Sequence, residues 1–133
     1  MVVPVRQAEE LEAIVTFLEE KTKKNEVVFM YPEMGLYNFL ADRPFLGRFP
    51  MATFSWFNDH WHKELVQQFK NEKPRHVILP QKLTAVWDKV YFARQENRAK
   101  YDEVMSIIHD RYILEAVTPE SYIYKIKNDL VKL

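Results

Sequence analysis

The sequence predicts a single soluble α/β domain over residues 1–133. It is of the layered α/β/α, Rossmann-like kind, with a mixed sheet of about four strands. Two observations lead to this prediction. Residues 26–31 and 75–79 are short, mainly apolar runs, and a proline follows each of them directly. Such runs are typical of strands buried on both faces. Helical patterns precede the first run and separate it from the second, and this order is typical of two parallel strands joined by a crossover.

The segment before the first strand has the pattern of an amphipathic helix. The glutamates, with Glu9 and Glu10 among them, are expected on its exposed face. Lysines gather towards its end, where they suit the helix dipole, and Asn25 is a plausible stop. Its apolar residues are expected to form one buried stripe made of Ala8, Leu11, Val15 and Leu18, with Ile14 beside it.

The rest of the chain predicts two more helices and a hairpin. One helix is expected from a cap at Asn58 or Asp59 to Pro74, with Trp61, Leu65, Val66 and Phe69 on its apolar side. Residues 84–110 predict a long helix whose polar middle, 94–100, is either a break or an exposed extension. Residues 112–117 and 121–126 flank a short turn and predict an antiparallel hairpin. The sheet is therefore expected to combine parallel inner strands with an antiparallel C-terminal edge.

Composition excludes several classes of function. Lys+Arg and Asp+Glu number 19 each, so the chain lacks the positive excess that nucleic-acid binding needs. The absence of cysteine excludes disulfides and zinc–thiolate sites. With only two glycines, neither a Walker loop nor a GxGxxG turn can be built. No serine has the setting of a catalytic nucleophile. We therefore expect no catalytic residue and no cofactor in this chain.

The histidines are expected to be structural. His60 and His62 could share a metal ion on a strand, but on a helix they point about 200° apart. The apolar stripe around them favours a helix, so surface histidines and no metal site are expected. His76 and His109 each stand alone near a predicted strand.

A polar group after the first strand is a candidate ligand site. Ligands of open α/β sheets bind beyond the carboxyl ends of the parallel strands, which here are residues 31–33 and 79–81. Two guanidiniums, a carboxylate and an amide could hold an anion or a sugar, and these belong to Glu33, Asn38, Arg43 and Arg48. The alternative is that Glu33 and Arg43 form a local ion pair that fixes the loop.

The segment from residue 45 to residue 61 is rich in aromatic residues beside arginine. Such a composition suits docking on a membrane surface or on another domain, and it equally suits a small core beneath a long loop. The candidate docking residues are Phe45, Phe49, Phe54, Trp56, Phe57 and Trp61.

Three segments resemble a known family: NFLADRP at 38–44, KPRHVILP at 73–80 and RYILEAVTPESYIYKI at 111–126. The chain resembles the C-terminal soluble region of bacterial membrane proteins of the dolichyl-phosphate-mannose-protein mannosyltransferase-like group (family 39, GT-C). The matching positions are Pro32, Glu33, Asn38, Phe39, Leu40, Arg43, Pro44, Lys73, Pro74, Val77, Ile78, Leu79, Tyr112, Tyr122, Ile123 and Tyr124.

The resemblance implies a non-catalytic extracytoplasmic domain, periplasmic in a Gram-negative cell, that forms the tail of a larger membrane protein. In that family the catalytic acidic residues and the polyprenyl-phosphate sugar site belong largely to the transmembrane part. The implied partners are that part or the membrane surface, with a sugar or polyprenyl phosphate as ligand. From the residues alone, the alternative is a free-standing module that binds a sugar phosphate or another small molecule.

Overall fold

The computed structural model describes residues 5–32, 38, 40–44, 46, 58–83 and 87–127, and the side chains of 87 and 88 are not described. The elements in these ranges are α1 (Val5–Lys21), β1 (Val28–Met30), α2 (Asp59–Glu72), β2 (His76–Pro80), a π-helical segment (Trp87–Tyr91), α3 (Gln95–Arg111), β3 (Tyr112–Val117) and β4 (Ser121–Ile126).

The four strands form one mixed sheet in the order β1-β2-β4-β3. β1 and β2 are parallel, whereas β4 is antiparallel to both β2 and β3. The predicted fold class is thus confirmed, including the C-terminal hairpin. One detail differs, because β1 lies at one end of the sheet among the described strands, whereas the sequence predicted it as an inner strand. On this strand the backbone amide of Val28 donates to the Pro44 carbonyl over 3.1 Å.

Helices cover both faces of the sheet, which gives the predicted three layers. Because successive strand residues point to opposite faces, neighbours in β1 and β2 belong to different cores. The α1 face is filled by Ile14, Leu18, Val28, Ala41, Ile78 and Ile123. The face towards α2 and α3 includes Phe29, Tyr31, Leu65, Val66, Phe69, Val77, Leu79, Val104, Ile108, Tyr112 and Ile126.

The buried face of α1 is rotated from the one predicted. Ala8 is exposed, and Glu10 is only 2% exposed. Glu10, Ile14 and Leu18 are spaced four residues apart, so they lie on one face of the helix, towards the sheet. The expectation of an exposed Glu10 was therefore wrong. Hydrophobic periodicity could not predict the burial of Glu10, because a carboxylate is not counted among the apolar residues.

Helix α2 has the predicted ends. Asn58 caps it, since its side chain accepts from the Trp61 amide over 2.8 Å. At the other end Lys73 takes a left-handed conformation, with φ of 47°, and its amide donates to Phe69. The buried side is shifted by one residue, because His62 is buried while Trp61 is 41% exposed. The expectation of a surface His62 was also wrong.

The predicted long helix over residues 84–110 is interrupted. Its described part consists of the π-helical segment, a short break at residues 92–94 and then α3. The Asn97 side chain closes the break by donating to the Tyr91 carbonyl over 3.0 Å. Arg98 lies 4.8 Å from the centre of the Phe92 ring. The polar residues near 94–100 therefore mark a break followed by the first turns of a new helix.

The outer strand β3 carries apolar side chains that face solvent. Ile113, Leu114 and Val117 are each about half exposed. The pairing of β3 with β4 shifts register between Leu114 and Ala116, which is a β-bulge. Within the described sheet, β4 is the strand that pairs with β3.

His76 lies in the central part of the sheet and is 4% exposed. The Phe17 ring meets its imidazole edge to face at 5.3 Å, and Glu115 Oε2 lies 3.6 Å from its Nε2. Burial lowers the pKa of His76, although Glu115 and Glu26 oppose this effect; Lys125 adds to it. The imidazole is therefore held neutral in the folded protein.

We expect His76 to make the fold sensitive to mild acid. An unfolded histidine titrates near pH 6.5, so the unfolded chain takes up this proton before the folded one does. The destabilisation is absent above about pH 6.5, grows as the pH falls and levels off below the folded pKa. Urea unfolding at pH 7.5 and 5.5 should show a larger loss of stability in the wild type than in His76→Phe. Equal losses in the two proteins would contradict this assignment.

Candidate functional site

A cavity of about 660 Å³ opens beyond the carboxyl ends of β1 and β2. Its volume falls within the range of roughly 300–1,000 Å³ that is usual for small-molecule sites. Its lining includes Tyr31, Pro32, Pro80 and Gln81, which belong to the strand ends at which the sequence predicts ligand binding. The first turn of α1 and the β3–β4 turn complete its wall, so four separate parts of the chain meet at this place.

The lining combines an apolar side with a polar side. The apolar contribution comes from both parallel strands and from three prolines, and it consists of Met30, Tyr31, Pro32, Ile78, Pro80, Leu83 and Pro119. The polar contribution consists of Arg6, Gln7, Gln81, Lys82, Glu120 and Ser121. A mixture of this kind is typical of sites in which apolar contact binds a ligand and a few polar groups orient it.

The buried carboxylate of Glu10 supports the wall from behind. Its oxygens accept from the Thr118 hydroxyl, from the Glu120 amide at 3.1 Å and from the Ser121 hydroxyl at 3.2 Å. Three donors of one turn are thus satisfied by one side chain of α1. Because a buried carboxylate needs such partners, the turn and the helix are held in a defined relation.

Two further contacts join the wall across elements. The backbone amide of Gln81 donates to the Glu120 carbonyl over 2.9 Å, and the side-chain amide of Gln81 donates to the Thr118 carbonyl over 2.7 Å. Arg6 donates from Nε to Glu120 Oε1 at 3.1 Å and from Nη2 to the Pro119 carbonyl. The Arg6–Glu120 pair is exposed and contributes little stability, but it orients both side chains at the rim.

Tyr31 belongs to the cavity lining, but it is only 1% exposed and its side chain packs in the core towards α2 and α3. Its ring stacks on Tyr101 with 5.9 Å between centres and contacts Phe29 at 5.6 Å. Burial raises the pKa of Tyr31, and the nearby Tyr101, Glu103 and Asp102 raise it further. The phenol therefore stays neutral at physiological pH and does not act as a base.

Two of the four candidate site residues predicted after the first strand, Asn38 and Arg43, are buried and lie outside the lining of this cavity. Asn38 donates from Nδ2 to the Val28 carbonyl at 2.8 Å and to the Pro44 carbonyl at 3.0 Å. Arg43 is 8% exposed and is not part of the cavity lining. Glu33 and Arg48 lie outside the described residues, as does the alternative Glu33–Arg43 ion pair. A ligand-binding role for these four residues stays a prediction.

Arg43 instead satisfies the C-terminal end of α1. Its Nη2 donates to the Leu18 and Thr22 carbonyls, both at 3.1 Å, and its Nε donates to the Thr22 hydroxyl at 2.6 Å. Its Nη1 donates to the Ala41 carbonyl at 2.6 Å. The last carbonyls of a helix lack internal partners and attract positive charge, so this guanidinium suits the position.

The histidine pair predicted to be unable to share a metal lies on α2. His60 is exposed, whereas His62 Nε2 lies 2.6 Å from Glu103 Oε1 and links α2 to α3. In the part of the chain that the structure describes, no group of three or more histidine, aspartate or glutamate side chains is placed to hold a metal ion.

Trp61 is the one candidate docking residue within the described ranges. It lies in the first turn of α2 and is partly exposed. The other candidates, Phe45, Phe49, Phe54, Trp56 and Phe57, lie outside the described residues. None of the helices described has the length and apolar character that crossing a bilayer requires. The docking role of this segment stays a prediction.

Sequence reasoning missed the wall residues Arg6, Lys82, Glu120 and Ser121. For Glu120 and Ser121, the pairing of the strands could have predicted a place beside the cavity. Because β4 is antiparallel to β2, Ser121 stands opposite Pro80, and the β3–β4 turn must then lie beside Gln81. No comparable signal places the start of α1 here, since that depends on the buried Glu10.

No known protein family matches the sequence, and no curated protein is significantly similar to it. The fold is similar to that of the C-terminal globular domain of an oligosaccharyltransferase from Archaeoglobus fulgidus. The match has a TM-score of 0.50 and 14% sequence identity, and it covers 96% of this chain and 100% of the other. This similarity shows a shared fold, and the narrower resemblance to bacterial family 39 stays a prediction.

We expect Glu10→Gln to destabilise the protein by about 1–3 kcal/mol. The amide keeps one oxygen for the Glu120 amide and the Ser121 hydroxyl, but it replaces the other oxygen, which faces Thr118, by a donor, and it removes the charge that strengthens all of these hydrogen bonds. Chemical denaturation at neutral pH measures the effect. Glu9→Gln makes the same charge change on an exposed neighbour and should stay within about 0.5 kcal/mol of wild type. Equal effects would show that Glu10 does not fix the turn.

We expect Arg43→Lys to cost about 2 kcal/mol or more in unfolding free energy, even in the absence of any ligand. A single ammonium cannot reproduce the fork that reaches Leu18, Thr22 and Ala41 together, so buried carbonyls lose charged donors. Arg98→Lys, at an exposed helix position, is the matched control and should change stability by less than about 0.5 kcal/mol. A stable Arg43→Lys protein would favour a binding role for Arg43 instead.

Proposed function

We propose that this chain is a non-catalytic accessory domain of a membrane-bound glycosyltransferase-like protein. The observation that carries the proposal is the end-to-end similarity to the C-terminal globular domain of an oligosaccharyltransferase. Because the match covers 96% of this chain and 100% of the other, the similarity concerns the fold as a whole rather than a single motif. The resemblance of three sequence segments to family 39 supports the same kind of parent protein.

The arrangement of titratable groups supports an accessory role. Two histidine–carboxylate contacts, His62–Glu103 and His76–Glu115, occur among the described residues, and both lie outside the cavity lining. Inside the cavity Glu120 is engaged by Arg6. A general acid or base must face a bound substrate, and these pairs do not face the cavity. In this proposal the chemistry belongs to the transmembrane part of the same protein.

The proposed location is the extracytoplasmic face of the membrane, the periplasm in a Gram-negative cell. The proposed partner is the transmembrane part or the membrane surface, met through the aromatic segment that ends at Trp61. An exposed tryptophan in the first turn of α2 is in keeping with such a contact. The domain would then aid the binding of the acceptor or of the lipid-linked sugar.

Fractionation of the native cells tests the proposal. An antibody against this domain should detect a membrane-bound species larger than the 16.0 kDa of the chain itself. In intact spheroplasts, protease added outside should remove the epitope, while a cytoplasmic marker protein stays intact. A soluble species of about the chain's own mass would refute the proposed membrane-bound parent protein. An epitope that is cleaved only after lysis would refute the proposed extracytoplasmic location.

The cavity favours a second candidate function, a free-standing module that binds a sugar phosphate or another small molecule. Its volume and mixed lining are those of a ligand site, whatever polypeptide contains the domain. The same fractionation separates the two candidates, since a free-standing module appears as the soluble species. The identity of the ligand is a separate question from the parent protein.

A further inference from the structure

We propose that the cavity binds a phosphorylated monosaccharide, with Lys82 and Arg6 meeting the phosphate. This assigns a ligand class to residues that differ from those the sequence predicted. The inference rests on the proposed function only for the source of the ligand, which is either a free sugar phosphate or the headgroup of a lipid-linked one.

The charges of the lining indicate an anionic group. Among the lining residues that the structure describes, Arg6 and Lys82 face one carboxylate, that of Glu120, which is an excess of one positive charge. Arg6 is already oriented by Glu120, whereas no ion pair joins Lys82 to a carboxylate within the described residues. Glu10 lies behind the wall, and its charge is directed to the donors of the turn. Lys82 is therefore the group best placed to attract an anion.

The remaining lining suits a polyhydroxylated ring rather than a bare phosphate. Gln7, Gln81, Glu120 and Ser121 supply amide, carboxylate and hydroxyl groups that can donate to and accept from sugar hydroxyls. The apolar surface provided by Met30, Ile78, Leu83 and the three prolines can pack against the C–H face of a sugar. Inorganic phosphate would leave this surface and most of the 660 Å³ unused.

A purely apolar ligand fits the cavity less well. It would bury six polar side chains and the ion pair at the rim without offering them partners, and such burial is unfavourable. The wall is also assembled before binding, because Gln81, Arg6 and Glu120 are already fixed by hydrogen bonds. A preorganised wall lowers the entropic cost of holding a small polar ligand.

The test is an NMR titration of the ¹⁵N-labelled chain with α-glucose 1-phosphate, glucose and inorganic phosphate in turn. We expect saturable shifts of the Lys82, Glu120 and Ser121 amides with the sugar phosphate, and weaker binding of the other two compounds. Lys82→Gln should reduce the affinity about tenfold, as expected for the loss of one charge-assisted contact. Lys63→Gln removes an exposed lysine outside the cavity and should leave the affinity unchanged.

A second arm identifies the source of the ligand. It uses the phosphodiester formed from glucose 1-phosphate and a short isoprenoid alcohol, which imitates the lipid-linked form. Binding of either compound with dependence on Lys82 supports the site, and the tighter of the two identifies the source. The proposal is overturned if neither produces saturable shifts at the cavity, or if Lys82→Gln and Lys63→Gln bind equally well. Fractionation of cells does not influence this result, so the two proposals can fail separately.

Discussion

The contact between Glu10 and the β3–β4 turn is the constraint on which the candidate site depends. One carboxylate of α1 accepts from the Thr118 and Ser121 hydroxyls and from the Glu120 amide, more than a hundred residues away along the chain. It thereby fixes the start of the first helix against the last hairpin. Without that contact, Arg6 would not meet Glu120, and the cavity would lose one of its walls.

The features of the fold that follow from local pattern were predictable. The hairpin strands at 112–117 and 121–126 were predicted as they occur, and the helix cap is Asn58, one of the two residues predicted for it. Turn residues and capping side chains act over only a few positions. The rotation of α1 and the burial of His62 were not predicted. Each depends on a polar side chain that finds a distant partner, and hydrophobic periodicity cannot register such a pair.

The candidate site was predictable in its position and less so in its residues. The rule that ligands bind beyond parallel strand ends indicated the edge of the sheet at which the cavity lies, since residues 31–32 and 80–81 line it. The same reasoning favoured nearby arginines as ligand contacts, yet Arg43 donates hydrogen bonds to the carbonyls at the end of α1. Proximity along the chain gave no information about which face of the loop a side chain would occupy.

The β-bulge in the outer strand has a consequence for how the protein behaves in a crowded solution. A regular edge with half-exposed Ile113, Leu114 and Val117 would be a template on which other chains could add strands and aggregate. The register shift between Leu114 and Ala116 is a β-bulge, and bulges bend a strand and increase its twist, which opposes the addition of a further strand along it. We therefore expect the bulge to disfavour aggregation through this edge, although its exposed side chains are apolar.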